Sequence, residues 1–139
     1  MEIEKTLILV KPDGVQRGLI GEIISRYERK GLTLIGLKLV QLSRAKAEEL
    51  YEVHLGQPFY DKLIDFMTTT PIVAIGVEGK NAIQLARLIN GATDPLESEP
   101  GSIRGDYSTD ITENLVHASD CLENAKRELS ILFSPQELC

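Results

Sequence analysis

The 139 residues predict an α+β fold, a single antiparallel sheet of four strands covered by helices. Three observations carry the prediction. Four short apolar runs, beginning near Thr6, Leu32, Pro71 and Leu115, have the length of strands rather than helices. Between them lie segments whose apolar residues recur every three or four positions, the helical period. A chain this long, with 42% apolar residues, has material for one good core and no second domain, so residues 1–139 read as one unit.

Thr6 to Val10 is continuously apolar, as expected of a buried strand. Lys11-Pro12-Asp13-Gly14 stops it, because proline cannot continue a central strand and Asp-Gly is turn chemistry; Lys11 is left at the strand end. Val15, Leu19, Ile20, Ile23, Ile24 and Tyr27 form the apolar stripe of a helix, which basic residues and Gly31 bring to an end. Leu32 to Leu42 is the second strand. Ser43 caps a helix running to Tyr51, and the looser stretch Glu52 to Pro58 holds His54, read as a surface histidine. Phe59 to Thr70 is helical again, through Phe59, Leu63, Phe66 and Met67. Pro71 to Val77 is the third strand and Glu78-Gly79-Lys80 a turn. Asn81 opens a helix through Ile83, Leu85, Ala86, Leu88 and Ile89 that ends at Asn90-Gly91, with Arg87 off its apolar stripe. Gly91 to Thr112 reads as a long loop rich in turn formers, of a length that tends to be functional, and it carries Thr93 and Arg104. Leu115 and Val116 lead to His117 at a strand end. Ser119 and Asp120 are cap residues for a last helix to Phe133 that buries Leu122, Ala125, Leu129, Leu132 and Phe133. This order is that of a split βαβ, ferredoxin-like sandwich.

The net charge of -6 is unevenly spread. Residues 91–139 carry ten acidic side chains against Arg104, Lys126 and Arg127, whereas residues 1–90 carry twelve basic and eleven acidic ones. Such a chain has no general attraction for DNA or RNA, so no specific nucleic-acid partner is expected, and an anionic ligand must be held by a few particular cations. The first apolar run is too short to span a bilayer and lacks the flanks of a targeting segment, which implies no membrane partner and a cytoplasmic location. Two cysteines 18 positions apart and two histidines give no zinc pattern, and the thiols are expected to be free.

Chemistry concentrates in Asn114-Leu-Val-His-Ala-Ser-Asp120. A fixed imidazole at a strand end is a candidate nucleophile or base near neutral pH. The heptapeptide alone also fits an ordinary surface histidine beside a helix cap, and both readings stand at this point. Lys11, Arg87, Arg104 and His117 all fall at loop or element ends, where they can converge. There is no Gly-x-x-x-x-Gly-Lys-Ser/Thr loop, since Gly79-Lys80 is followed by Asn81, so side chains rather than a glycine-rich loop must hold any phosphate. A histidine among lysine and arginine then suggests phosphoryl transfer through a phosphohistidine.

Lys11-Pro-Asp-Gly-Val-Gln-Arg-Gly18, Gly91-Ala-Thr-Asp-Pro95, Ser102-Ile-Arg-Gly-Asp106 and Asn114-x-x-His117-x-Ser119-Asp120 together resemble, in order and spacing, the signatures of the nucleoside diphosphate kinases. The resemblance spans essentially the whole chain. It implies ping-pong exchange of a γ-phosphoryl group between a nucleoside triphosphate, usually ATP, and a nucleoside diphosphate, with Mg2+ held mainly by the nucleotide phosphates and not by protein side chains. Carried over by residue, it makes His117 the phosphoryl carrier, as a pros-phosphohistidine. Lys11, Arg87, Arg104 and Thr93 would bind phosphates, with Lys11 and Asn114 also near the ribose 3'-hydroxyl. Phe59 would stack on the base, Tyr51 would lie beside the site, and Glu128 would orient the imidazole. Glu128 has support of its own, because it falls at the edge of the last helix's apolar stripe. The resemblance also implies a homo-oligomer, hexamer or tetramer, with the loop around Pro95 at subunit contacts. Gln57, Val77 and Ala118 stand where arginine, tryptophan and glycine are usual in the family; none touches a proposed catalytic group. Two rivals remain at this level: a silent binding module on the same fold, including an RNA-recognition domain, and a histidine-dependent phosphoester hydrolase.

Overall fold

The computed structural model describes residues 3–139. Among these, one sheet is formed by β1 (Ile3–Val10), β2 (Thr33–Val40), β3 (Ile72–Lys80) and β4 (Val116–Ala118), in the order β2-β3-β1-β4 with every neighbouring pair antiparallel. The helices are α1 (Pro12–Gln16), α2 (Ile20–Lys30), α3 (Arg44–Leu50), α4 (Tyr60–Met67), α5 (Ala82–Asn90), α6 (Ile103–Tyr107) and α7 (Leu122–Leu132). This is the α+β sandwich expected from the alternation of strands and helices.

The inner position of β1 explains its unbroken apolar run. Leu7 and Leu9 point into a core with α3, α4 and α7, while Ile8 and Val10 point into the opposite core with α2, α5 and the residues before β4. Because side chains alternate across a strand, only a strand covered on both faces needs every position apolar. Ser43 caps α3 as anticipated, its hydroxyl accepting from the Lys46 N–H, and Gly31 ends α2 in the left-handed region at φ 100°.

Several local expectations give way to tertiary context. The Pro-Asp-Gly stretch is not a bare turn but opens α1, where proline at the first turn loses no hydrogen bond. Glu78-Gly79-Lys80 is not a turn either: β1 begins at Ile3, and Lys5, Glu4 and Ile3 pair with those three residues, extending β3. The reversal comes one residue later, at Asn81 with φ 57°. The long loop contains α6, capped by Ser102, whose Oγ accepts from the Gly105 N–H. Only glycine fits at 105, since a Cβ there would lie 2.0 Å from the Glu99 carbonyl oxygen. α7 is capped by Cys121, not by Ser119 or Asp120, and Leu122 is 44% exposed rather than buried. Both thiols, Cys121 and Cys139, are free and exposed.

Candidate active site

The site starts from a short strand. β4 pairs with β1 over only three positions, Ile8 with Ala118, Leu9 with His117 and Val10 with Val116. Lys11, next after Val10, therefore lies beside the residues that lead into β4. Its N–H donates to the Leu115 carbonyl at 2.8 Å, and its Nζ donates to the Thr112 carbonyl at 2.8 Å and to Asn114 Oδ1 at 2.9 Å. An ammonium has three protons, so one remains for a ligand. Burial disfavours the charged form and lowers the Lys11 pKa to about 8, with Asp13 opposing the shift and Arg104 adding to it.

Between Asn114 and β4 the backbone makes a γ-turn. The Val116 N–H donates back to the Asn114 carbonyl at 2.9 Å, and Leu115 sits at φ 76°. That hand of γ-turn is rare, and a leucine held at positive φ stores about 1–3 kcal/mol of strain. Asp13 Oδ2 accepts from the Leu115 N–H at 3.0 Å. Gly14 lets α1 approach, because a Cβ at that position would lie 2.8 Å from Val10 Cγ1 and 3.1 Å from the Leu115 carbonyl oxygen.

Two residues past the turn, His117 is partly exposed and its Nε2 lies 3.0 Å from Glu128 Oε1. The same oxygen accepts from Ser119 Oγ at 2.8 Å. Glu128 comes from the inward face of α7 and is buried, so its carboxylate is aimed rather than mobile. With Nε2–H donating to Glu128, the neutral ring keeps its lone pair on Nδ1, which has no hydrogen bond among the described residues. Tyr51 is buried edge-on to the imidazole, with centroids 5.6 Å apart and planes at 78°. Burial, and secondarily Glu128, raise its pKa well above the ordinary phenol value, so it stays protonated at neutral pH.

Arg104 is 9% exposed and spans the turn from the other side. Nε donates to the Asn114 carbonyl at 3.2 Å, Nη1 to the Gly91 carbonyl at 2.7 Å and Nη2 to the Val116 carbonyl at 2.6 Å. Three of its five donors are thus spent on backbone, and two remain. Arg87 projects from the exposed face of α5, with no hydrogen bond among the described residues. Asn114 Nδ2 donates to the carbonyls of Ile111 at 3.1 Å and Thr93 at 3.4 Å. All of these, with His117, Tyr51, Phe59 and Glu128, line one cleft of about 1200 Å³. The fold thus brings every sequence-predicted site residue to one place. Phe59, 46% exposed at the start of α4, is not a core residue; its ring meets that of His54, edge-on at 5.3 Å.

Residues 4–138 match the family model of the nucleoside diphosphate kinases. The chain belongs to the nucleoside diphosphate kinase family. It is accordingly an enzyme of the phosphotransferase class. A nucleoside diphosphate kinase of Acaryochloris marina is 56% identical over 136 residues, covering 98% of this chain and 91% of the relative. One from Staphylothermus marinus is 55% identical over 138 residues, covering 99% and 98%. Among solved structures, a halophilic nucleoside diphosphate kinase of Halobacterium salinarum, in complex with CDP, aligns with TM-score 0.96 at 43% identity over 99% of this chain and 92% of that one. The Aquifex aeolicus nucleoside diphosphate kinase gives 0.96 at 39% identity over 99% and 100%.

Measured as a nucleoside diphosphate kinase fold, the chain shows what its sequence left hidden. His54 is not a plain surface residue: it lines the cleft between the rings of Tyr51, 6.1 Å away, and Phe59. Ser119 serves the Glu128 carboxylate instead of a helix end, and Asp13 holds Leu115 instead of merely turning the chain. Neither of the last two roles has a local signal, because each partner lies on another element. Arg104-Gly105-Asp106 is folded into α6, Arg104 is buried, and Asp106 is paired with Arg26 at 2.8 Å. No helix among the described residues is long and apolar enough to cross a membrane.

Proposed function

We propose that this chain exchanges the terminal phosphoryl group between nucleoside tri- and diphosphates, usually taking it from ATP, by carrying it on Nδ1 of His117. The observation that carries the reading is the hydrogen bond of Nε2 to Glu128: a carboxylate can only accept, so the ring proton sits on Nε2 and Nδ1 is left as the nucleophilic atom of a histidine that lines the cleft. In the forward half, the Nδ1 lone pair attacks the γ-phosphorus, a P–N bond forms, the bond to the β–γ bridging oxygen breaks, and the nucleoside diphosphate leaves. The Glu128 carboxylate balances the charge that the ring acquires on phosphorylation. The second half reverses these steps with another diphosphate in the same cleft.

The chain's own groups are suited to positioning and charge neutralisation, which is most of what phosphoryl transfer needs. The spare protons of Lys11 and Arg104, the free guanidinium of Arg87 and the Thr93 hydroxyl would take the phosphates. Asn114 and Lys11, already bonded to each other, would meet the ribose 3'-hydroxyl, and Tyr51 would support the imidazole. Phe59 would stack on the base, and because every base has a π-face this contact discriminates little among them. Mg2+ would be carried mainly on the nucleotide phosphates, with Asp120 the carboxylate of the cleft nearest in sequence to His117. When bound there, Mg2+ supplies further neutralisation of phosphate charge.

The reading extends to residues 1–139 as one domain, a homo-oligomer that is hexameric or tetrameric, and a cytoplasmic location. Leu37 and Leu39 lie exposed on the edge strand β2, and Leu96 beside Pro95 is 93% exposed, surfaces suited to subunit contacts. Free thiols suit a reducing compartment.

The test is to incubate the protein with γ-labelled ATP and Mg2+, remove nucleotide, then add GDP, with His117→Ala in parallel. An acid-labile label on the parent alone that moves to GTP is the expected result. No label, or label lost to free phosphate before GDP arrives, overturns the reading in favour of a silent module or a hydrolase.

A further inference from the structure

We propose that Asp13 is a positioning residue for the transfer, acting on His117 through the backbone of Leu115; the proposal rests on His117 being the phosphoryl carrier. The γ-turn before β4 is the least favourable backbone in the cleft, and such a conformation persists only where its surroundings over-determine it. Here one short segment holds both ends of a residue. The Leu115 N–H is taken by Asp13 Oδ2 at 3.0 Å, and the Leu115 carbonyl accepts from the Lys11 N–H at 2.8 Å. That segment is itself stiff, since Pro12 fixes one φ angle and Gly14 lets α1 seat against Val10 and Leu115.

What the turn separates is the machinery. On one side is Asn114, whose Oδ1 meets Lys11 Nζ; on the other are Val116, braced by Arg104, and His117. β4 has only three paired residues to hold its register, so the direction in which the imidazole leaves the sheet depends on how the chain enters the strand. Were Leu115 to relax to an extended conformation at negative φ, the Asn114 to Val116 span would lengthen and His117 would tilt away from the nucleotide that Lys11 and Asn114 meet.

The choice of residue points the same way. Asp13 is 7% exposed, and its second oxygen, Oδ1, is buried without a hydrogen-bond partner. Burying a carboxylate with an unmet oxygen costs stability, as the upward shift of its pKa by desolvation also indicates. A group that only completed a turn would not need that cost.

The experiment compares the full-length parent with D13A and D13N. It measures amide hydrogen exchange at Leu115, the rate of label uptake from γ-labelled ATP with Mg2+, ADP affinity by calorimetry, and folding by circular dichroism. In D13A the Leu115 amide loses its acceptor, and exchange accelerates about 100-fold. Label uptake slows by about 30- to 100-fold, the scale of an ångström-sized misplacement, while ADP affinity changes much less. D13N keeps an acceptor oxygen, so its exchange and its uptake at pH 7 stay within about threefold of the parent.

Folded D13A with fast Leu115 exchange but parental uptake overturns the proposal. So does D13N that is as slow as D13A with Leu115 still protected, which makes charge rather than the acceptor the cause. Rate and ADP affinity falling in proportion would move the effect to nucleotide binding through Lys11 and also overturn it. Should D13A fail to fold, D13N decides: parental uptake with a protected amide supports the proposal, and slowed uptake with a protected amide refutes it. A parent that takes no label sinks the carrier reading itself and the proposal with it; a parent that labels while D13A labels equally well sinks only the role of Asp13.

Discussion

Arg104→Ala separates a phosphate ligand from a structural brace. In the free protein the guanidinium already donates to the carbonyls of Gly91, Asn114 and Val116, at 2.7, 3.2 and 2.6 Å, tying the segment before α6 to both ends of the γ-turn. Truncation leaves the Gly91 and Val116 carbonyls without this donor, while the Asn114 carbonyl keeps the Val116 N–H. A buried group so orphaned costs about 1–3 kcal/mol, but the two are not additive and water can enter from the cleft. Removing the arginine also returns some desolvation cost, since burial, the largest influence on it, holds its pKa below the usual arginine value. A net loss of about 2–4 kcal/mol follows, which for a domain of this size lowers Tm by about 8–15 °C. The assay is thermal unfolding by circular dichroism at pH 7 without nucleotide, with Arg104→Lys beside it. Lysine keeps the charge but has no planar fork to reach three carbonyls, so most of the loss should remain. If R104A melts within about 2 °C of the parent, or R104K restores it fully, the backbone brace contributes nothing and the reasoning fails.

Two further outcomes follow from the same geometry. Glu128→Ala strips the Nε2–H and Ser119 Oγ of one shared acceptor, and a charge-assisted hydrogen bond is worth about 1.5–3 kcal/mol, so the rate of label uptake should fall by about 10- to 150-fold; Glu128→Gln, which keeps an oxygen, should lose less. Parental uptake by E128A would show that the carboxylate does not orient the ring. For Lys11 the folded pKa, about 8, lies below the ordinary lysine value of 10.5. Between these the unfolded chain binds more protons, so the destabilisation by the buried ammonium is complete below about pH 8, fades as pH rises, and is gone above about pH 10.5. Parent minus Lys11→Met stability should therefore climb across that window, while nucleotide affinity, which needs the cation, weakens as pH passes about 8; calorimetric ADP titrations from pH 7 to 9.5 that stay flat for the parent would refute both.

Much of this protein was legible residue by residue. The double-sided core of β1 showed as an unbroken apolar run, α2 as a 3.6-residue stripe closed by Gly31, and α3 as a stretch opened by Ser43. The four motif stretches pointed to the family and hold Lys11, Thr93, Arg104, Asn114 and His117 of the cleft, because covalent order and spacing are what a motif records. Errors fell where a local preference met a distant partner. Glu78-Gly79-Lys80 has turn chemistry, but β1 offered a full ladder of backbone partners and the strand ran on. Ser119 is a good cap in isolation, yet its hydroxyl found a buried carboxylate nine residues away.

Chain order by itself thus determined which side chains this protein has for phosphoryl chemistry, and the sandwich that hydrophobic periodicity requires. Tertiary structure alone decided their states: which imidazole nitrogen is free, that Lys11 is desolvated, that Arg104 is mostly spent on carbonyls, and that Asp13 holds a strained leucine just before β4. Periodicity is a property of neighbours along the chain. Protonation, hydrogen-bond partnership and strain are set by what another element brings to within about 3 Å, and no local pattern records that distance.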